Sequence, residues 1–128
     1  MSDKKKEKKE IKKKIKLNTK KKIIKQVEKI ADKYSIESNM SCLMEECGEL
    51  IQAVNKYRRA LSKDPKMQKT SLSKKEARNK MIEEMADVER YIAAVKYQLK
   101  VSEDDIYDSM KPKAIRDTKR LLSTKKVS

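Results

Sequence analysis

The chain has 128 residues, with 35 Lys and Arg against 20 Asp and Glu, a formal charge of +15, one Gly, two Pro, and no His, Trp or Phe. That length gives one domain, and the lack of His excludes imidazole metal ligands, Ser–His pairs and histidine acid–base chemistry. A composition rich in Lys and Glu and poor in turn formers favours helices, and no apolar run of about 18 residues exists to span a bilayer.

The charge is concentrated at the ends. Residues 1–25 hold 13 Lys against 3 acids and residues 111–128 hold 7 basic residues against 1 acid, so the middle is close to neutral. Residues 1–18 form a lysine-rich stretch broken only by Ile11, Ile15 and Leu17. So little apolar surface predicts a mobile tail or a frayed helical extension, able at most to make weak, non-specific nucleic-acid contact through phosphate neutralisation. No apolar segment follows it, as a secretory signal would need. A cytoplasmic, reducing location is expected, with Cys42 and Cys47 as free thiols at a spacing that fits neither zinc nor redox motifs.

Four helical segments are predicted after the tail. The first spans about Thr19 to Tyr34, with Ile23, Val27, Ile30, Ala31 and Tyr34 at 3–4 spacing. The second starts near Ser38 or Asn39, both good N-cap types. It runs to Leu61 with a stripe of Met40, Leu43, Met44, Cys47, Leu50, Ile51, Val54 and Leu61. Ser62 to Ser73, with Pro65, reads as a loop. The third helix spans Lys74 to Leu99, with Met81, Met85, Val88, Ile92, Val95 and Leu99 on one face. The fourth starts at Ser102-Glu103-Asp104-Asp105, a capping-box-like signal, and Pro112 should kink or split it. No stretch alternates as a strand does. The expected fold is an all-α bundle of four to five helices over residues 19–122, its core of Ile, Leu, Val, Met, Ala and Tyr completed by dimerisation, with residues 123–128 as a tail.

Two acidic clusters interrupt the apolar stripes: Glu45-Glu46-Cys47-Gly48-Glu49 and Glu83-Glu84-Met85-Ala86-Asp87. No Lys or Arg lies between Tyr34 and Asn55. Glu45/Glu49 and Glu83/Asp87 are like-charge i, i+4 pairs, each costing a few tenths of a kcal/mol, and neither cluster has a cation four residues on. Glu46 and Glu49 lie about 60° apart on their helix, as do Glu84 and Asp87 on theirs. Packing the two stripes together therefore gathers four carboxylates, the hard oxygen donors that Mg²⁺ takes at about 2.0–2.1 Å. Solvated acidic faces are the plainer alternative. Gly48, the sole glycine, falls inside the first cluster, and close approach of a neighbouring helix or ligand would explain it.

These motifs resemble those of MazG-like nucleotide pyrophosphohydrolases, of the all-α NTP pyrophosphatase superfamily that includes dimeric dUTPases and dCTP pyrophosphatases. The pattern is E-E-x-x-E on one helix, E-x-x-D on the next, and then K-x-x-R, here Lys113-Ala114-Ile115-Arg116. Lys111 stands where some members carry Asn. The resemblance implies Mg²⁺, or Mn²⁺ in its place, on Glu46, Glu49, Glu84 and Asp87. It also implies water activation among Glu45, Glu49 and Glu83, and triphosphate contacts from Lys113, Arg116 and Arg120. The base and sugar pocket would fall near Tyr34, Asn39 and Cys42. The implied reaction is hydrolysis of a nucleoside triphosphate to the monophosphate and pyrophosphate by a homodimer or homotetramer, in clean-up or regulation of the nucleotide pool. The rival is a non-catalytic helical module that docks nucleic acid or an acidic partner through its basic ends.

Overall fold

The computed structural model describes residues 2–14, 19–67 and 72–126. It contains α1 (Asp3–Lys14), α2 (Lys20–Ala31), α3 (Ile36–Leu61), α4 (Lys74–Leu99) and α5 (Glu103–Lys126), with no strand among the described residues. The expected all-α bundle class is what is found.

Local capping explains most of the boundaries. The Thr19 hydroxyl accepts from the Lys22 N–H at 3.2 Å and starts α2, and the Ser73 hydroxyl accepts from the Glu76 N–H at 3.1 Å and starts α4. The capping box of α5 is reciprocal: Ser102 N–H donates to Asp105 Oδ2 at 2.9 Å and Asp105 N–H donates to Ser102 Oγ at 3.1 Å. α4 stops at Lys100, whose φ of 55° is left-handed. There the Val101 N–H reaches back to the Lys96 carbonyl at 2.9 Å and the Lys100 N–H to Tyr97 at 3.3 Å, a Schellman closure.

Several boundaries differ from expectation. α2 ends at Ala31, three residues short of the expected Tyr34, where the Asp32 N–H closes on the Glu28 carbonyl at 3.3 Å. α3 begins at Ile36, because the Ser35 hydroxyl takes the Ser38 N–H at 3.1 Å and frees Asn39 for a tertiary role. α5 is not split at Pro112 but runs through it to Lys126, so residues 123–126, expected as part of a tail, are helical. The proline removes one backbone bond, and Asp108, whose carbonyl loses that donor, is exposed to water that can replace it. At Gly48 a Cβ would meet nothing within 4 Å, so the close approach of a neighbouring helix, one of the two explanations expected, is not found among the described residues.

α3 and α4 form the main packed pair, and α2 lies against α4. The pairing of Asn39 with Gln98 at one end and of Glu46 with Glu84 and Asp87 further along makes α3 and α4 antiparallel. The buried apolar residues are Ala31, Ala53, Ala60, Ala77, Ala94 and Val88, so the helices meet mainly through alanines. The expected core of large side chains is therefore not closed within one chain. Met44 is 76% exposed and Ile51 71%, while Met40, Val54, Met85, Ile92 and Leu99 of the two stripes are also exposed. The stripes are wider than the face one neighbouring helix covers. α1 is helical, its described side chains exposed. α5 likewise has only exposed side chains among those described and no extensive packing on the others. No described helix is long and apolar enough to cross a membrane.

Candidate metal and nucleotide site

The α3–α4 pair brings the two acidic clusters together. Glu46, Glu84 and Asp87 each offer an oxygen such that all three lie within 4.8 Å of one another. Glu84 is 4% exposed, Glu46 and Asp87 half-buried, and Glu49 exposed at the rim. Glu46 Oε2 and Glu84 Oε2 are buried and have no hydrogen-bond partner. A buried carboxylate oxygen with nothing to accept from is costly, and two of them in one cluster are the donor set a hard divalent cation would satisfy. The residues present thus fit such an ion.

The electrostatics separate these carboxyls. Burial, then the neighbouring Glu49, Asp87 and Glu84, push Glu46 above its ordinary 4.5. Glu84 is held below 4.5 chiefly by a hydrogen bond from Lys80, against the opposing effect of burial. Glu49 is near enough to act on both: its carboxyl helps to raise Glu46 and to lower Glu84. Glu83 lies outside the cluster, exposed and 3.7 Å from Lys80 Nζ. Glu45 is exposed as well.

Lys80 is a residue the sequence reading missed. Its Nζ lies 3.0 Å from Glu84 Oε1, and Arg90 Nη2 lies 3.3 Å from Asp87 Oδ1. The second cluster is therefore not free of cations as the first is. The signal in the sequence is Lys80 four residues before Glu84, the reverse of the favoured Glu-before-Lys order, and Arg90 after Asp87 at a spacing of three rather than four.

One turn away from the carboxylates, a cavity of about 220 Å³ opens between α2, α3 and α4. Tyr34, Asn39 and Cys42 all line it, together with Val27, Ile30, Arg90 and Tyr91. Arg90 is the one charged residue among its described lining, with its guanidinium carbon 4.6 Å from the centre of the Tyr91 ring. The Tyr91 hydroxyl is pushed up from 10.0 first by its hydrogen bond with Cys42 and then by burial. Asn39 is 4% exposed, and its amide donates to the Ala31 carbonyl at 3.2 Å and to Gln98 Oε1 at 2.8 Å. Gln98 in turn donates to the carbonyls of Ala31 at 2.8 Å and Tyr34 at 3.0 Å. The cavity wall is thereby fixed to all three helices. A larger open groove of about 910 Å³, between α2 and the far end of α4, is lined by Glu28, Asp32 and Glu103 but by no described residue of either acidic cluster.

Lys113, Arg116 and Arg120 share an arc of about 60° on α5 at helical spacing. Among the described residues α5 has no extensive contact with α3 or α4, so no such packing carries them to the acidic cluster within one chain. The described ion pairs of Arg116 and Arg120 are with Asp117 of their own helix, at 3.3 and 3.9 Å.

With this geometry in hand, the sequence profile of the MazG nucleotide pyrophosphohydrolase domain matches residues 34–120. The chain belongs to the MazG family. The matched span opens at Tyr34 in the wall of the cavity, takes in both acidic clusters, and closes at Arg120. The lysine-rich α1 lies outside the MazG domain. No curated protein and no solved structure matches the chain significantly.

Proposed function

We propose that this MazG domain hydrolyses a nucleoside triphosphate to the monophosphate and pyrophosphate, with Mg²⁺, replaceable by Mn²⁺, held by Glu46, Glu49, Glu84 and Asp87. The observation that carries this reading is the pair of buried, unpartnered oxygens on Glu46 and Glu84 beside Asp87. Once bound, the ion would offset phosphate charge and lower the pKa of water.

The chain's own residues divide the remaining work. Glu49, exposed at the rim and beside Glu46 and Glu84, accepts a proton from the water whose oxygen bonds to the first phosphorus, while the bond from that phosphorus to the bridging oxygen breaks and pyrophosphate leaves. Glu45 and Glu83, both exposed, assist from outside the cluster. Tyr34, Asn39 and Cys42 receive base and sugar in the cavity, whose position one turn from the carboxylates suits a nucleotide with its phosphates directed at them.

Lys113, Arg116 and Arg120 stabilise the leaving pyrophosphate, and a second copy of the chain brings them there. Supporting this, Ile106, Tyr107, Met110, Ile115, Leu121 and Leu122 leave α5 with an uncovered apolar side, as Met44 and Ile51 do on α3. Association of these faces into a dimer or tetramer would bury them. The exposed lysines of α1 suit weak, salt-sensitive nucleic-acid contact beside this activity. Pyrophosphate release from a (d)NTP with Mg²⁺, and its loss in Glu49→Gln, tests the reading.

A further inference from the structure

The two oxygens of Glu84 differ in their surroundings. Oε1 meets the Lys80 ammonium at 3.0 Å, whereas Oε2 is buried and without a partner. The Glu84 side chain is 6% exposed and that of Lys80 54%. The lysine thus reaches in from solvent to hold one oxygen of a nearly buried carboxylate. Its helical spacing of four residues makes this reach natural, because side chains at i and i+4 lie on one face a turn apart. The same ammonium lies 3.7 Å from Glu83 Oε2, so it sits between an inner and an outer carboxylate.

Two roles are conceivable for a cation at that place. It could stand in for a divalent ion and be expelled when one arrives, or it could fix a ligand for that ion. A stand-in would sit among Glu46, Glu84 and Asp87, whereas the described ion pairs of Lys80 are with Glu84 and the outer Glu83. We propose that Lys80 is a positioning residue for the metal site, holding Glu84 by Oε1 so that Oε2 is presented toward Glu46 and Asp87. Ligating carboxylates are commonly oriented in this way by hydrogen bonds from groups that never touch the metal. The proposal rests on the divalent-metal reading above, and it assigns a role to a residue outside both acidic motifs.

The test is Mn²⁺ affinity of the full chain, read by titration calorimetry or by the EPR signal of free Mn²⁺, for wild type, Lys80→Met and Lys80→Arg. Melting temperatures of the metal-free proteins are recorded alongside. Lys80→Met should weaken Mn²⁺ binding about tenfold, and Lys80→Arg, which keeps the charge and the donor, should restore it to within a few-fold. The metal-free melting temperature of Lys80→Met should fall, since the nearly buried Glu84 loses its partner, and Lys80→Arg should recover it, so the affinities are compared at a temperature where every variant is folded. If Lys80→Met does not fold, Lys80→Gln replaces it with the same expected weakening. Unchanged affinity in the folded variant would overturn the proposal and leave a surface ion pair. Tighter binding would overturn it in favour of the stand-in role. Failure of wild type to bind Mn²⁺ would instead remove the metal reading itself.

Discussion

Glu46 on α3 and Glu84 on α4 face each other with one buried, unpartnered oxygen apiece, yet their carboxyls are driven in opposite directions. Burial and three acidic neighbours raise Glu46, while the Lys80 hydrogen bond lowers Glu84. Neighbouring titratable groups pushed apart in this way are what the proposed metal site would need.

A pH prediction follows for the metal-free protein. Between pH 4.5 and the raised Glu46 value, the folded chain holds a proton that the unfolded chain has released, so stability falls as pH rises across that window. Above it the full cost of an ionised Glu46 is present. Glu46→Gln should therefore melt higher than wild type at pH 7–8, and the gain should shrink as pH falls toward 4.5. Saturating Mn²⁺ should reverse the order at pH 7–8, because the variant lacks a ligand. Thermal melts across pH, with and without Mn²⁺, check both.

Asn39 fastens α3 to α2 and, through Gln98, to α4. Asn39→Ala leaves Gln98 Oε1 without that donor and should cost about 1–3 kcal/mol, read by urea unfolding. Gln98→Ala should cost a similar amount, and the double variant less than the sum of the two, because both changes break one network.

Paired substitutions Met110→Glu and Leu121→Glu place charge on the apolar side of α5 without touching Lys113, Arg116 or Arg120. Light scattering after gel filtration should give a dimer or tetramer for wild type and a smaller species for the variant. Turnover should fall mainly through a raised KM, since the cations that hold the phosphates come from the second copy.

Removing residues 2–18 should leave pyrophosphate release within about twofold of wild type. Affinity for mixed-sequence duplex DNA should drop, and the slope of log K against log salt should become shallower as phosphate contacts are lost. Fluorescence anisotropy over a salt series measures this. An unchanged slope would remove the nucleic-acid role.

Much of the fold was legible in the sequence, for reasons that individual residues make plain. α4 spans Lys74–Leu99 as its periodicity predicts, because Ser73 caps one end and the left-handed Lys100 closes the other. The start of α3 was misplaced by two or three residues. Ser35, Ser38 and Asn39 are all N-cap types, and only the tertiary pairing of Asn39 with Gln98 decides among them. The proline in α5 was over-read, since an exposed helix can lose one backbone bond to water. Identifying the core failed most clearly. Periodicity finds apolar stripes but not how many helices will cover them, and in one chain alanines fill the contacts while Met44 and Ile51 face outward. At the site, helical spacing predicts a meeting of four carboxylates; Glu46, Glu84 and Asp87 come within 4.8 Å of one another, while Glu49 is outside that trio. Lys80 did not stand out, because an i, i+4 lysine beside a glutamate is common on solvated helices and only the burial of Glu84 distinguishes it.

The most direct test of the central claim is pyrophosphate release by the full chain across canonical and modified NTPs and dNTPs with Mg²⁺, run in parallel on Glu49→Gln. The account predicts that wild type releases pyrophosphate and the monophosphate in equal amounts from at least one nucleotide. It predicts that Glu49→Gln, folded as judged by circular dichroism, loses about 10²–10⁴-fold in kcat, and that Glu45→Gln and Glu83→Gln, at exposed positions outside the cluster, lose no more than about tenfold. No release from any nucleotide by wild type, or full activity in Glu49→Gln, would contradict it.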